Sequence, residues 1–394
     1  MMAASCLHKG TSVLRECPKI ADVFSMIRIL DRMGAVIWWD KNDLYLDCSC
    51  LDFTIIPGEL TKCMRSSVIL LSVMLARNGY GSLGYPGGCV IGKRPIDMHL
   101  YVLRKLGAQI RERPGCLWAE CKCLTGAQIC FEKKSVGATQ QGILAAVLAQ
   151  GETILLNCAR EPEVCWLCRY LRSMGARISG EGTDDICIEG VSRLDAGDFR
   201  VPPDRIVAGT YICAAAITRG KITLEHYPEG ELDAFLEVYR KMGGQYEGKS
   251  GKLVVNGNGV RFSPGLVKTE TYPGFPTDLQ SPLMAVLTTI DGVSEIREQI
   301  FENRFQVAEQ MNKMGADIRV EGNTAVIHGG KPLWGSRIKA QELRGGAALI
   351  LMALAARGES RLEGYSFVQR GYEHICEDLT CLGAVMKNDT GTDT

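Results

Sequence analysis

The chain has 394 residues, 46% of them hydrophobic and 23% charged, which is typical of a globular protein with two or three domains. Lys plus Arg and Asp plus Glu both number 45, and this balance argues against the sustained basic excess that binding to nucleic acid or a membrane surface needs. The first ten residues lack the features of a secretory signal, and the apolar run 347–356 is about half as long as a membrane span.

A helix-like stretch that ends in Met/Leu-Gly and turns into a strand occurs six times, about every 70 residues. Its glycines are Gly34, Gly107, Gly175, Gly243, Gly315 and Gly383, and a second glycine precedes each of them at Gly10, Gly79, Gly151, Gly220, Gly292 and Gly358. Glycine accepts the left-handed backbone that ends a helix, so each unit is predicted to run helix, Gly, strand, helix, Gly, strand. We expect six small βαβ-type modules arranged three plus three, with domains at residues 1–202 and 203–394.

Within each unit the two predicted helices differ in polarity. The first helices are apolar on nearly every face and are expected inside a domain; they cover residues 67–76, 142–149, 211–217, 283–290 and 347–356. The second helices, such as 97–106 and 305–314, are amphipathic and are expected outside. Short apolar segments at 44–46, 186–188 and 325–327 are predicted strands.

Charged and hydroxyl residues precede the predicted inner helices, where free N–H groups and the helix dipole favour anions. These segments are 62–66, 133–137, 203–205, 276–280 and 341–345. Five equivalent helix starts predict one shared anion-binding cleft between the two halves. The first unit begins inside its own first helix, so we expect that unit to be incomplete.

Seventeen cysteines are spread along the chain, and their number is odd. With no secretory signal, we expect reduced thiols in a cytoplasmic protein, many of them buried as small apolar side chains. Cys165 and Cys168 form a C-x-x-C pair, and two C-x-C pairs occur elsewhere, but a zinc site normally combines two pairs at a set separation, often with histidine. We therefore expect no metal site.

Residues 85–99 form the most distinctive segment, a loop rich in glycine and proline that contains Cys89. Lys93 and Arg94 follow closely, and a positive, accessible setting of this kind makes a thiol reactive. On the residues alone, Cys89 is either a functional thiol or an incidental loop cysteine.

The chain resembles the enolpyruvyl transferase family, which includes enolpyruvylshikimate-phosphate synthase. The matching segments are Pro-Gly-Gly-Cys at 86–89, Arg-Pro-Ile-Asp at 94–97, Lys-Ser-Val-Gly-Ala-Thr at 134–139, Arg-Glu-Pro-Glu at 160–163, Pro-Asp-Arg-Ile at 203–206, Phe-Pro-Thr-Asp-Leu-Gln at 275–280, Phe-Glu-Asn-Arg-Phe at 301–305 and Arg-Gly-Tyr-Glu at 370–373. The Cys-bearing loop favours the members that act on UDP-N-acetylglucosamine. The resemblance implies an α/β fold, a two-domain inside-out α/β barrel in which each domain has three βαβαββ units.

The resemblance also implies a reaction, in which the enolpyruvyl group of phosphoenolpyruvate moves to the 3′-hydroxyl of UDP-N-acetylglucosamine and phosphate is released, without metal or organic cofactor. It implies that Cys89 is the general acid at C3 of phosphoenolpyruvate and that Asp278 is the base at the sugar hydroxyl; a helix cap is the alternative for Asp278. Arg65, Arg94, Arg304, Arg344 and Arg370 match arginines that hold phosphate and carboxylate, and Arg370 is counted with the catalytic residues. The implied nucleotide contacts are Arg94, Pro95, Ile96, Asp97, Met98, Lys133, Lys134, Ser135, Val136 and Ile300.

The sequence departs from the family pattern in four places, and these departures leave two alternatives to the implied function. Family members open with a Gly-Ala-Lys-Asn segment that grips phosphate and positions substrate; this sequence begins at Met1 without it, and weaker phosphate binding is expected. Glu342 stands where Asp is usual, and Val207 and Trp166 replace acids. The alternatives are a catalytically weak or inactive paralogue that binds a UDP-sugar, and an enolpyruvyl transferase of secondary metabolism with another nucleotide acceptor.

Overall fold

The computed structural model describes residues 1–52, 55–87, 92 and 95–387. The N-terminal half alternates helices with short strands. Its elements are α1 (Met2–Ser5), β1 (Thr11–Arg15), α2 (Ala21–Arg32), β2 (Val36–Asp40), β3 (Asp43–Asp47), α3 (Gly58–Lys62), a 3₁₀ turn (Arg65–Ile69), α4 (Leu70–Asn78), β4 (Tyr80–Gly84), α5 (Asp97–Lys105), β5 (Gln109–Arg113), β6 (Cys116–Glu120), β7 (Gln128–Cys130), α6 (Val136–Ala146), β8 (Glu152–Leu156), α7 (Pro162–Ser173), β9 (Arg177–Ser179), β10 (Asp185–Glu189) and β11 (Asp198–Arg200).

The C-terminal half continues the alternation. Its elements are α8 (Arg205–Ile217), β12 (Lys221–Leu224), α9 (Asp233–Lys241), β13 (Gln245–Lys249), β14 (Lys252–Asn256), β15 (Leu266–Lys268), a second 3₁₀ turn (Thr277–Leu279), α10 (Gln280–Leu287), β16 (Gly292–Arg297), α11 (Val307–Lys313), β17 (Asp317–Glu321), β18 (Thr324–Gly329), β19 (Arg337–Lys339), α12 (Leu343–Ala355), β20 (Arg361–Glu363), α13 (Tyr365–Val368) and α14 (Ile375–Cys381).

The third and fifth units show the repeat in full. Each has a strand, a helix, a parallel second strand, a second helix and a hairpin, and the sheet orders are β7-β8-β10-β9 and β15-β16-β18-β17. The first two strands are parallel because a helix crosses between them, whereas the hairpin pairs antiparallel. This arrangement is the βαβαββ module that the resemblance implied.

One strand exchanges between units in a way the sequence did not indicate. β11 follows the third unit and precedes α8, yet it pairs in parallel with β1, with Val13 opposite Asp198. The first sheet therefore has the order β11-β1-β3-β2, while the fourth unit's sheet has the order β12-β14-β13 in the described residues. The chain thus crosses between its two halves at residues 198–205.

The six Met/Leu-Gly glycines end helices as predicted, whereas of the six earlier glycines only Gly79 directly ends one; Gly10 lies five residues beyond α1, and Gly292 begins β16. The six Met/Leu-Gly glycines have φ between 91° and 105°, a region that a side chain rarely adopts. The prediction for Gly220 was wrong, because Arg219 takes the left-handed conformation there, with φ of 56°. The Arg219 guanidinium donates to the carbonyls of Ala216 and Thr289, and these bonds hold the strained residue.

The inner helices form the centre of each half, and the sheets cover them. In the C-terminal half, α8, α10 and α12 each contact the other two, and one face of the β16–β18 pair packs on α10. In the N-terminal half, α4 contacts both α1 and α6. Buried apolar residues form one cluster that ends at Leu194 and a second that begins at Ile206. These separate cores support a domain boundary at 202–203, which we retain as a proposal.

Several inner helices begin earlier than their apolar residues predicted. The sequence indicated a helix from residue 142, whereas α6 begins at Val136 after Ser135, whose hydroxyl accepts from the Ala138 N–H at 3.3 Å. The polar first turn therefore belongs to the helix, and the Ser135 cap fixes where the helix begins.

Across the described ranges, no helix is long and apolar enough to span a membrane.

Candidate functional site

The starts of the three inner helices of the C-terminal half bring their polar residues together. Asp204 caps α8 by accepting from Ile206 N–H at 2.7 Å, and Glu342 caps α12 by accepting from Arg344 N–H at 2.8 Å. Glu342 thus makes an ordinary cap despite being longer than the aspartate expected there. Asp278, in the 3₁₀ turn before α10, makes no such cap in the described structure, and its carboxylate bonds arginines instead.

Asp278 lies between two arginines. Arg304 Nη2 donates to Asp278 Oδ1, and Arg344 Nη2 lies 3.4 Å from Oδ2. The arginine side chains are only 3% and 11% exposed, whereas the Asp278 side chain keeps 39% of its exposure. Burial alone would raise the pKa of the Asp278 carboxyl, but the charges of Arg344 and Arg304 outweigh it and lower that pKa to about 2. Asp278 is therefore held ionised by its neighbours.

Both arginines keep buried donors that no described group accepts. Arg304 Nε and Arg344 Nη1 are buried and have no hydrogen-bond partner within the described structure. A buried, charged N–H without an acceptor is costly, and native proteins rarely leave one. Because guanidinium groups bind oxyanions through paired N–H donors, these two atoms suit a phosphate or carboxylate ligand.

Tyr372 supports Arg344 and was missed by sequence reasoning. The Arg344 Cζ lies 5.5 Å from the centre of the buried Tyr372 ring, and the Tyr372 hydroxyl is 2.8 Å from Thr210 Oγ1 on α8. Burial raises the pKa of Tyr372, so it stays neutral. Tyr372 belongs to the Arg-Gly-Tyr-Glu segment that matches the family, but nothing in that segment indicated that the tyrosine contacts Arg344.

The segments predicted to bind the nucleotide lie side by side in the N-terminal half. Pro95 and Ile96 lead into α5, which starts with Asp97 and Met98; Lys133, Lys134 and Ser135 precede α6, which starts at Val136. The helices α5 and α6 pack together, and a Cβ on Gly137 would lie 2.8 Å from the His99 ring. Arg65 Nη2 also donates to the Pro95 carbonyl at 2.8 Å, and Lys134 pairs with Asp184.

Gly92, the described residue of the glycine-rich segment, lies near the arginine cluster. Gly92 lies against Glu302, two residues before Arg304: a Cβ on Gly92 would be 3.3 Å from the Glu302 nitrogen. Cys89 and Arg94 themselves lie outside the described residues. Gly92 of the N-terminal half is therefore in contact with the Phe-Glu-Asn-Arg segment of the C-terminal half.

Comparison with known proteins identifies the family. The model of the family "EPSP synthase (3-phosphoshikimate 1-carboxyvinyltransferase)" matches residues 1–379. The chain belongs to this family. It is 41% identical, over 98% of its length and 92% of the relative's, to a UDP-N-acetylglucosamine 1-carboxyvinyltransferase 2 of Caldanaerobacter subterraneus subsp. tengcongensis. It is 43% identical, over 98% and 89%, to UDP-N-acetylglucosamine 1-carboxyvinyltransferase 1 of Symbiobacterium thermophilum.

Solved structures confirm the fold of the family. The crystal structure of the enolpyruvyl transferase NikO from Streptomyces tendae superposes with a TM-score of 0.86 at 23% identity, covering 98% of this chain and 92% of that one. An EPSP synthase structure from Acinetobacter baumannii gives 0.73 at 20% identity, covering 96% and 92%. The predicted EPSP synthase-like α/β fold is therefore confirmed.

In this member of the family, Arg370 contacts the opposite half of the chain. Its Nε and Nη2 bond the two carboxylate oxygens of Asp22 at 2.9 and 3.1 Å, and the Ala21 N–H donates to the Gln369 carbonyl beside it. On the other side, Arg205 bonds Glu163 through two nitrogens. Bidentate pairs of this kind fix the orientation of both partners. The site thus lies where the two halves meet.

The cysteine pairs considered as metal ligands do not assemble a centre. Cys168 is buried and Cys165 partly buried, both on α7. Within the described ranges, no three His, Cys, Asp or Glu side chains come together to hold a metal ion. Burial raises the pKa of Cys168 to about 12, so this thiol stays protonated.

Proposed function

We propose that the chain transfers the enolpyruvyl group of phosphoenolpyruvate to the 3′-hydroxyl of UDP-N-acetylglucosamine and releases phosphate. The observation that carries the proposal is the buried Arg304–Arg344 pair around Asp278, with unused N–H donors on both arginines. The names of relatives at about 40% identity over nearly the whole chain support the same reaction. In this proposal the protein works in the cytoplasm, in peptidoglycan synthesis.

The chemistry assigns a role to each group. Cys89 donates a proton to C3 of phosphoenolpyruvate, C2 becomes electrophilic, and the sugar hydroxyl adds to C2 as Asp278 takes its proton. C3 then returns a proton to the Cys89 thiolate and the C2–O bond to phosphate breaks with its electrons leaving on phosphate, which restores the double bond. Arg304 and Arg344 hold the phosphate or carboxylate through the donors that are now unused. A positioned proton donor contributes about 10²–10⁴ in rate.

The nucleotide is assigned to the adjoining starts of α5 and α6. Residues 95–98 and 133–136 contribute backbone groups and the ammonium groups of Lys133 and Lys134 to the diphosphate. The Ile300 N–H already donates to Glu298 at 2.8 Å, so the carbonyl of Ile300 is the backbone atom left for a nucleotide contact. Because the assigned anion contacts lie on both halves, substrate binding should close the halves together.

Phosphate release from phosphoenolpyruvate tests the proposal directly. We expect release that depends on UDP-N-acetylglucosamine, and a loss of about 10²–10⁴-fold in Cys89→Ser, because a hydroxyl is a much poorer proton donor. Cys130→Ser, at an exposed cysteine, is the matched control and should keep the wild-type rate. No release above background in the wild type, with UDP-sugar binding retained, would refute the proposed activity.

The ionisation of Asp278 should respond to bound anion. In the free protein its pKa is about 2, so the carboxyl stays ionised at every pH above that value. A phosphate that occupies Arg304 and Arg344 removes this stabilisation, so the pKa should rise to at least the usual value of about 4. Carboxyl ¹³C NMR, with the Asp278 signal assigned by its loss in Asp278→Asn, should show titration between about pH 4 and 6 only with phosphate present. An identical titration with and without phosphate would contradict this exchange.

A further inference from the structure

A buried carboxylate that the proposed chemistry does not use lies directly behind the site. Glu298 follows β16 and is 2% exposed. Its Oε2 accepts from the Thr277 hydroxyl at 2.9 Å, and its Oε1 accepts from the Ile300 and Phe301 N–H groups at 2.8 and 3.1 Å. Both oxygens therefore have protein donors, which is how a native fold accommodates a buried carboxylate.

The partners of Glu298 belong to two different parts of the site. Thr277 directly precedes Asp278 in the 3₁₀ turn, whereas Ile300 and Phe301 begin the segment that leads to Arg304. Arg304 Nη2 lies 3.4 Å from the Thr277 carbonyl, and its Cζ lies 5.3 Å from the Phe301 ring centre. Glu298 thus holds the residue before the proposed base and the ring beneath an anion-binding arginine.

The backbone around Glu298 is itself fixed. The Glu298 N–H donates to the Asn323 carbonyl at 2.8 Å, and the Gln299 N–H donates to Thr269 Oγ1 at 2.9 Å. The carboxylate is therefore fixed relative to the sheet, and its hydrogen bonds fix Thr277 and the Ile300–Phe301 backbone relative to the sheet as well. Because both side-chain oxygens of Glu298 already accept hydrogen bonds from the protein, the side chain is held in one orientation.

We propose that Glu298 is a positioning residue that sets Asp278 relative to the Ile300–Arg304 segment. The inference rests on the proposed function for the roles of Asp278, Ile300 and Arg304, and both carboxylate oxygens of Glu298 bond protein groups. Glu298 has two sets of hydrogen bonds, one from the Thr277 hydroxyl (the Thr277 arm) and one from the Ile300 and Phe301 N–H groups (the Ile300 arm). We expect the two arms to act on different steps. The Thr277 arm orients the base and therefore affects kcat, whereas the Ile300 arm shapes the nucleotide contact and therefore affects the KM for UDP-N-acetylglucosamine.

Three variants separate the arms. Thr277→Val removes only the hydroxyl arm and should lower kcat about tenfold with the UDP-sugar KM unchanged, since sub-ångström misplacement of a reacting group has large effects on rate. Glu298→Ala should lower kcat at least as much and also raise that KM about tenfold. Glu298→Gln should restore most of both, because the amide oxygen can accept from the two N–H groups and the amide nitrogen can donate to Thr277.

The controls exclude a merely structural role. Glu295→Ala, on the same strand β16, should leave kcat and KM unchanged. In the double variant Thr277→Val/Glu298→Ala, kcat should fall no further than in Glu298→Ala, because both changes break the same bond. Urea unfolding of each variant establishes the folded fraction in the assay.

Wild-type kcat in Thr277→Val, or Glu298→Gln as impaired as Glu298→Ala, would overturn the inference. The inference would also be overturned if each variant changed kcat and KM by the same factor and that factor matched its unfolded fraction, because a loss of folded protein would then explain the kinetics. If the wild type itself releases no phosphate, calorimetric binding of UDP-N-acetylglucosamine still tests the inference. Weaker binding in Glu298→Ala but not in Thr277→Val would then support it, and equal binding in all three proteins would refute it.

Discussion

Asp278→Asn should lower kcat by about 10²–10⁴-fold while it strengthens the binding of inorganic phosphate about tenfold. The two effects have opposite signs because the carboxylate has two functions. As the proposed base it takes the hydroxyl proton, and an amide cannot do so. As an anion it occupies Arg304 and Arg344, where it competes with the substrate anion.

The structure favours tighter phosphate binding in the variant. Without the carboxylate, two nearly buried guanidinium groups lack their counter-charge, and removing one partner of a buried pair is strongly unfavourable unless another anion replaces it. Phosphate brings that charge and can reach Arg304 Nε and Arg344 Nη1, which have no acceptor in the described structure. Calorimetry with phosphate measures the affinity, and the phosphate-release assay measures kcat.

Asp317→Asn provides the matched control for this experiment. Asp317 is also paired with a cation, with Lys331 Nζ at 2.7 Å, but lies on the outer strand β17. It should change neither kcat nor phosphate affinity, because surface ion pairs contribute little. Phosphate affinity that is unchanged or weaker in Asp278→Asn would show that the carboxylate and the phosphate do not compete for the arginines.

The repeat was predictable because its signals are local. A glycine after a helix reports the backbone conformation at that one residue, and six Met/Leu-Gly pairs about 70 residues apart therefore predicted a repeated α/β module. The same reasoning failed at Gly220, where Arg219 adopts the left-handed conformation and is held by the carbonyls of Ala216 and Thr289. Thr289 is 70 residues from Arg219 along the chain, and a contact at that sequence separation cannot be predicted from local residue preferences.

The residue types of the candidate site could be selected from the sequence, but the contacts between these residues could not. Asp278, Arg304 and Arg344 could be selected from their segments, but the bonds between them join positions separated by 26 and 66 residues. Glu298 and Tyr372 were missed for the same reason, since their roles depend on contacts with Thr277 and Arg344. The exchange of β11 into the first sheet is also a long-range pairing, and the periodic pattern assigns each strand only to its own unit.

Trp166 shows how a departure from the family pattern was accommodated. It stands where an acid is usual, and its indole N–H donates at 2.8 Å to Glu231 Oε1 in the C-terminal half. Arg169 lies 4.4 Å from its ring centre, and burial raises the pKa of Glu231. The indole thus makes a contact between the two halves, and Glu163, three residues earlier in the chain, makes another with Arg205.

Arg344→Gln should reduce kcat/KM for phosphoenolpyruvate by about 10³-fold, with the affinity for UDP-N-acetylglucosamine unchanged. Arg344 is the cleaner of the two arginines to test, because Arg304 also bonds the Thr277 carbonyl and its loss would displace Asp278. The glutamine keeps a polar group beside Tyr372 but lacks the charge and the paired donors. Arg344→Lys keeps the charge without the planar fork, so it should recover only part of the loss.

Arg357→Gln is the control for Arg344→Gln, since this exposed arginine lies beside Trp334, 5.7 Å from its ring centre. It should leave kcat/KM unchanged. Steady-state kinetics with phosphoenolpyruvate as the varied substrate gives the main result, and calorimetry with the UDP-sugar alone gives the second. If UDP-sugar affinity falls as far as kcat/KM does, Arg344 acts on the structure of the whole cleft. If only kcat/KM for phosphoenolpyruvate falls, the Arg344 guanidinium binds the substrate anion, as its unused Nη1 donor indicates. The substrate must then displace Asp278 from that guanidinium.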